Sequence, residues 1–134
     1  MVSIALVIYN LQLNFGLLFM NTDEIQQLVM TALEDLKGID ILSIDVRGQT
    51  TLSDFMVICT GRSNRHVKSL AESVVVQAKK AKLHYIRTEG EKEGEWVIVD
   101  LADVVVHVML PAAREFYKLE DLWEPIKELR ENHQ

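Results

Sequence analysis

The chain has 134 residues, of which 49% are hydrophobic and 25% charged, with a formal net charge of −6 at pH 7. This length suits one domain, and the composition excludes a chain that is disordered throughout. The acidic balance argues against a protein that holds nucleic acid mainly by neutralising phosphates, and the single cysteine, Cys59, excludes an internal disulfide.

The first 19 residues differ from all that follow, because they are uncharged and strongly apolar. A signal peptide would have a basic start and a small-residue cleavage site, and a membrane helix would not place Asn10, Gln12 and Asn14 near its middle. Met20 begins MNTDEIQQLV, which is typical of a natural start leading into a capped helix. We expect residues 1–19 to be an upstream extension outside the fold, with an ordered apolar arm or a membrane contact as alternatives.

Helical spacing of apolar residues predicts a first helix over residues 22–37. Thr22 or Asp23 is expected to cap its start, and Gly38 is expected to end it in a left-handed conformation. Alternating apolar residues then predict a strand over residues 41–47.

An uninterrupted apolar run over residues 55–60 is typical of a central strand buried on both faces, and its Cys59 is expected to be a buried hydrophobe. A second helix is predicted over residues 65–82 and a further strand over residues 83–88. The polar segment 89–94 then suits a hairpin loop.

Two final strands are predicted over residues 96–101 and 104–110, joined tightly through Ala102 and Asp103, and Pro111 suits the first turn of a last short helix. The order α-β-β-α-β-β-β-α predicts an α/β (α+β) domain with a mixed five-stranded sheet and helices mainly on one side. Because side chains alternate along a strand, the last two strands separate an aliphatic face from a second, partly wet face. The second face is predicted to carry Trp96, Ile98, Asp100, Val105, His107 and Met109.

Two long segments carry a resemblance. SDFMVICTGRSNRHVKSLAESV (residues 53–74) and GEWVIVDLADVVVHVMLPAAREFYKLEDLW (residues 94–123) resemble the ribosomal silencing factor (RsfS) family. The resemblance covers residues 20–123 as the family domain, and leaves residues 124–134 as a tail expected to be helical or frayed. It implies a nucleotidyltransferase-like fold without that chemistry, so no enzyme activity, cofactor or metal is expected.

The resemblance also implies a partner and a mechanism. Family members bind the large ribosomal subunit through its large-subunit protein number fourteen, block subunit joining and lower translation when nutrients are short. Matched residue by residue, the family's binding tryptophan and tyrosine fall on Trp96 and Tyr117. The remaining implied contacts come from the motif residues Asp100, Asp103, His107 and Met109. Trp123 suits core packing and partner contact equally, whereas Phe116 stands where the family should tolerate change.

Two other functions stay open on the residues alone. A nucleotidyltransferase-like enzyme would use Asp100 and Asp103 with a nucleotide at residues 61–65, although turn and strand-end roles suit these carboxylates better. Near that nucleotide position, His66 beside Arg62 and Arg65 could hold an anion on free backbone N–H groups, or form a solvated helix cap. An RNA-binding module would use a set of basic side chains, namely Arg62, Arg65, Lys68, Lys79, Lys80 and Lys82.

Charge and cysteine content add three expectations. An acidic chain should associate faster with a basic protein partner. A single thiol fits the reducing cytoplasm. An apolar sheet face would also favour a weak or moderate homodimer.

Overall fold

The computed structural model describes residues 20–123, so the predictions for residues 1–19 and 124–134 fall outside the described part of the chain. Within it no helix is long and apolar enough to cross a membrane. The elements, in chain order, are α1 (Thr22–Asp35), β1 (Ile39–Asp45), β2 (Phe55–Thr60), α2 (Asn64–Lys80), β3 (Arg87–Glu89), β4 (Trp96–Asp100), β5 (Val104–Met109), α3 (Pro111–Tyr117) and a 3-10 turn (Leu119–Leu122).

The five strands form one mixed sheet in the order β1-β2-β5-β4-β3. Only β2 and β5 run parallel, and the other neighbours pair antiparallel. The predicted element order and the mixed five-stranded sheet are confirmed. The relation to the nucleotidyltransferase fold stays a prediction.

The main core lies between α1, α2 and one face of the sheet. Val97, Val99, Val106 and Val108 point into it and are fully buried, as the period of two along a strand requires. Cys59 is buried in the same layer, and burial raises the pKa of its thiol to about 11. The predicted aliphatic face and the buried Cys59 are confirmed.

The ends of α1 differ from the prediction. Asn21, not Thr22 or Asp23, caps the helix, because its side chain accepts a hydrogen bond from the Glu24 N–H at 2.8 Å. The left-handed residue at the far end is Lys37 (φ 59°), not Gly38. Gly38 is required for a different reason: a Cβ there would lie 2.5 Å from the Cys59 sulfur.

The strand predicted over residues 83–88 was largely wrong, because β3 contains only Arg87–Glu89. Lys82 adopts a left-handed conformation (φ 58°), and the Leu83 N–H donates to the Ala78 carbonyl at 3.1 Å. Leu83 and Ile86 pack against the core from this helix-ending turn. Their apolar character therefore serves the end of α2 and the connection after it rather than the sheet.

Candidate functional site

The face of the sheet opposite α1 and α2 carries the short helix α3. Pro111 occupies the first turn of α3, as predicted, and Lys118 ends the helix in a left-handed conformation (φ 46°). None of the seven helical residues is buried. The chain then continues through the 3-10 turn to Trp123. Trp123 lines a groove with Asp100 and Val105, so it lies at the end of β4 and β5 that is far from Trp96.

Four side chains form what we call the aromatic cluster: Trp96, His107, Phe116 and Tyr117. The Trp96 and Tyr117 rings lie 4.7 Å apart between centroids and are tilted by 44°. Phe116 meets Tyr117 edge to face at 5.0 Å. Phe116 is 80% exposed and Tyr117 51%, so the cluster presents a broad apolar surface to solvent.

His107 holds Trp96 from within the sheet. The Trp96 indole Nε1–H donates to His107 Nδ1 at 3.0 Å. An accepting Nδ1 requires a neutral ring, and burial favours that state by lowering the pKa of His107 to about 4. The imidazole is therefore a fixed hydrogen-bond acceptor near neutral pH.

The prediction of a wet face was wrong for two residues. His107 is 8% exposed and Met109 is fully buried. Met109 pairs with Trp96 across the antiparallel register, and α3 lies across this end of the sheet. These neighbours shield His107 and Met109 from solvent, so both support the aromatic cluster from beneath its surface.

Asp100, Asp103 and Trp123 lie apart from the aromatic cluster. Asp100 stands four residues beyond Trp96 on the same strand face, about 13 Å away at the strand rise. Its Oδ1 accepts from the Ala102 N–H at 2.8 Å, and the Asp103 carbonyl accepts from the N–H groups of Asp54 and Phe55. The turn and strand-end roles weighed from the sequence are thus observed for both.

Trp123 is partly buried at that far end. It lines a groove with Met56, Tyr85, Asp100 and Val105, among others. Its Nε1 is buried and has no hydrogen-bond partner within residues 20–123. The structure therefore gives Trp123 packing contacts on the sheet, separated from the aromatic cluster.

The residues of the hypothetical nucleotide site are not brought together. Gly61 follows the end of β2 and donates to the Met109 carbonyl, whereas Asp103 accepts from the beginning of β2. The six residues of β2 separate these points by about 17 Å. Across the described range, moreover, no group of three or more His, Cys, Asp and Glu side chains could hold a metal ion.

The groups of the hypothetical anion site at the start of α2 already form hydrogen bonds within the protein. His66 is buried, not solvated; its Nδ1 accepts from the Arg62 N–H at 2.9 Å, and its Nε2 lies 2.8 Å from the Leu36 carbonyl. The backbone N–H of His66 donates to the Ser63 hydroxyl. His66 therefore joins the ends of two helices, and these two N–H groups are not free for a phosphate.

The basic residues of the hypothetical RNA site divide between the two ends of α2. One group stands at its start and the other at its end, about 22 Å apart at the helical rise. All six are exposed. The helix α2, which carries four of them, packs on the side of the sheet away from the aromatic cluster, so these four do not form one surface with it.

Arg114 and Phe116 also lie at this site. The sequence did not single out Arg114, and Phe116 was named only as a position that tolerates change. Arg114 links α3 to the sheet through Asp40 and Thr60. Phe116 extends the exposed surface beside Tyr117. The sequence could have indicated both residues, because they stand within one turn of Tyr117 on a short predicted helix whose side chains cannot all be buried.

The chain is similar to known proteins over nearly all its described length. The family model for "Ribosomal silencing factor during starvation" matches residues 20–134. Ribosomal silencing factor RsfS of Chromobacterium violaceum is 51% identical over 104 residues, which are 78% of this chain and 85% of that one. The Haemophilus influenzae RsfS is 42% identical over 97 residues, 72% of this chain and 95% of its own.

A more distant relative and a solved structure agree with this. The mouse "Mitochondrial assembly of ribosomal large subunit protein 1" is 37% identical over 87 residues, covering 63% of this chain and 38% of that protein. A crystal structure of a Chromobacterium violaceum protein superposes with a TM-score of 0.77 at 50% identity, covering 78% of this chain and 88% of that one. The chain is a member of the ribosomal silencing factor family.

Proposed function

We propose that this silencing factor binds the large ribosomal subunit through its protein number fourteen and excludes the small subunit, which lowers translation when nutrients are short. The proposal needs no bond to be made or broken, because a tightly bound protein at the joining face blocks assembly by volume alone. Its setting is the cytoplasm, where subunits join.

The observation that carries the proposal is the exposed aromatic cluster. Large aromatic side chains that are partly buried and held in place are the usual anchors of protein interfaces. Tyr117 is half exposed and Phe116 mostly so, while Trp96 is fixed by the hydrogen bond to His107. The cluster therefore offers a partner protein a preformed apolar surface.

The two regions of the sheet face have different proposed roles. Trp96 and Tyr117 contact the partner directly, with His107 and Met109 supporting them from the buried side. Asp100, Asp103 and Trp123, about 13 Å along the hairpin, form a second, peripheral contact. Asp103 is exposed there and is the carboxylate free to meet a basic side chain.

Charge supports a basic protein partner. The chain carries a formal charge of −6, and the name of the mouse relative refers to the large ribosomal subunit. Opposite net charges accelerate encounter and lose their effect as salt screens them. We expect the association rate with isolated protein number fourteen to fall as ionic strength rises.

Self-association through the aromatic cluster is also proposed. Phe116 and Tyr117 are exposed apolar side chains that a second copy could cover. Sedimentation equilibrium should then show a weak homodimer that Phe116→Ala weakens. A homodimer unaffected by this change would use another surface.

Binding to separated subunits tests the proposal. Purified protein is sedimented with large subunits and, separately, with small subunits. Its binding to isolated protein number fourteen is measured directly. We expect co-sedimentation with large subunits alone, and direct binding to the isolated ribosomal protein that Trp96→Ala weakens. Equal binding to both subunits, or binding to naked ribosomal RNA with a steep salt dependence, would favour the RNA-binding function instead.

A further inference from the structure

We propose that Arg114 is a positioning residue: it fixes α3 against the sheet so that Tyr117 meets Trp96, and thereby sets the shape of the docking surface. The effect on partner affinity rests on the proposed function, whereas the effect on the aromatic cluster does not. Nothing in the resemblance assigns a role to Arg114.

The helix α3 needs an anchor other than apolar burial. It has seven residues, none of them buried, and a left-handed Lys118 ends it. A helix this short is not stable by itself, and most helices are oriented by packing an apolar face. The orientation of α3 must therefore come from specific contacts.

Arg114 supplies contacts to three separate elements. Its Nη1 donates to the Asp40 carbonyl at 2.6 Å and to the Thr60 hydroxyl at 2.9 Å. Its Nε donates to Glu120 Oε1 at 3.3 Å. The planar guanidinium fixes the direction of all these bonds at once, so α3 is tied to β1, β2 and the 3-10 turn together.

The contacts to Thr60 and Glu120 are partly shielded from solvent, whereas the Asp40 carbonyl belongs to an exposed residue. The Arg114 side chain is 14% exposed and that of Glu120 is 22% exposed. Glu120 Oε2 is buried and has no hydrogen-bond partner among the residues described, so Arg114 provides the compensation for this carboxylate. Ion pairs and hydrogen bonds in such surroundings are weakened less by salt than surface pairs.

Tyr117 follows Arg114 by three residues, which places both side chains on neighbouring positions of one helix face. Arg114 reaches β1 and β2, while Tyr117 reaches Trp96 on β4. A rotation or shift of α3 would move both side chains together. The contacts that fix Arg114 therefore also keep the Tyr117 ring over the Trp96 indole.

The first test needs no ribosome. The indole N–H signal of Trp96 in a proton–nitrogen NMR spectrum, identified by its loss in Trp96→Phe, reports the ring above it. We expect Tyr117→Ala to shift this signal and Arg114→Met to shift it in the same direction. A Trp96 signal that Arg114→Met leaves in its wild-type position would overturn the proposal.

Three variants keep the test valid if Arg114→Met folds poorly. Thr60→Val removes one acceptor while Arg114 still pairs with Glu120, and should shift the indole signal less. Arg114→Lys keeps the charge but lacks the planar fork, so it should restore the position only in part. Glu115→Gln, whose parent side chain is 82% exposed on the same helix, should leave the signal unchanged.

The second test is a double-mutant cycle on large-subunit affinity. We expect Arg114→Met to weaken binding about tenfold in the wild-type protein and hardly at all when Tyr117 is already alanine. Equal losses in both backgrounds would mean that Arg114 does not act through Tyr117. Absence of wild-type binding to large subunits would refute the proposed function, while the NMR result would still decide the role of Arg114.

Discussion

The two faces of the sheet differ in composition and in how far they are covered. The face under α1 and α2 is lined by fully buried valines and holds no aromatic ring from β4 or β5. The opposite face carries Trp96 and His107, is covered only in part by α3, and leaves Tyr117 half exposed. The buried core is concentrated on the first face and we propose recognition on the second, so substitutions on the two faces should separate unfolding from binding.

The largest expected effect is on the covered face. Leu33 of α1 is fully buried, and Leu33→Ala should lower the free energy of unfolding by about 3 kcal/mol, since it removes buried methyl groups and leaves a cavity. Urea unfolding followed by circular dichroism measures this. Protein that remains folded should bind large subunits with unchanged affinity, and a parallel loss of affinity would show that the two faces are not independent.

The buried imidazole on the second face makes stability depend on pH. The pKa of His107 is lowered to about 4 from 6.5, so the unfolded chain binds a proton first as the pH falls. Stability should therefore decrease from pH 7 towards pH 4, by up to about 3 kcal/mol, and this contribution should level off below the folded pKa.

The matched control for this pH effect is His107→Asn, which keeps an acceptor near Nδ1 but does not titrate. The difference in unfolding free energy between wild type and variant should shrink or reverse as the pH falls from 7 to 4. A difference that stays constant over this range would contradict a neutral, buried His107.

The Tyr117 side chain should affect binding more than stability. Tyr117→Ala should weaken large-subunit binding by about 2 kcal/mol, as expected for an aromatic anchor, with little change in unfolding. Val76→Ala is the matched control, because Val76 is an apolar side chain of α2, 39% exposed on the other side of the molecule. Equal losses in the two variants, measured by titration with labelled protein, would place the interface elsewhere.

The smallest expected effect is at Phe116. Phe116→Ala removes an edge-to-face partner of Tyr117 and should weaken binding by about 1 kcal/mol. The same titration measures it. An effect larger than that of Tyr117→Ala would move the centre of the interface to the exposed end of α3.

Most of the fold could be predicted from the sequence, because strand alternation and helical spacing directly express burial on the covered face. The run at β2 and the valines of β4 and β5 show this. The 83–88 strand could not be distinguished from a helix ending, since Leu83 and Ile86 are apolar in either case. The spacing of apolar residues does not show whether their backbone groups pair at a helix end or with a neighbouring strand.

The site could be predicted only in part. The resemblance gave Trp96 and Tyr117, which the fold brings to 4.7 Å. Arg114 was missed because its partners Asp40 and Thr60 lie 74 and 54 residues away in the chain. The burial of Met109 was missed because strand alternation assigns a residue to a face but does not show what covers that face.

The rate and extent of subunit joining directly measure whether the bound protein excludes the small subunit. Large subunits are incubated with the protein before small subunits are added, and association is followed by light scattering. We expect wild type and Val76→Ala to suppress joining, and Tyr117→Ala to suppress it only at higher concentration. Small subunits added to a preformed complex of large subunit and protein should not join it. Full joining in the presence of bound wild-type protein would contradict the proposed exclusion.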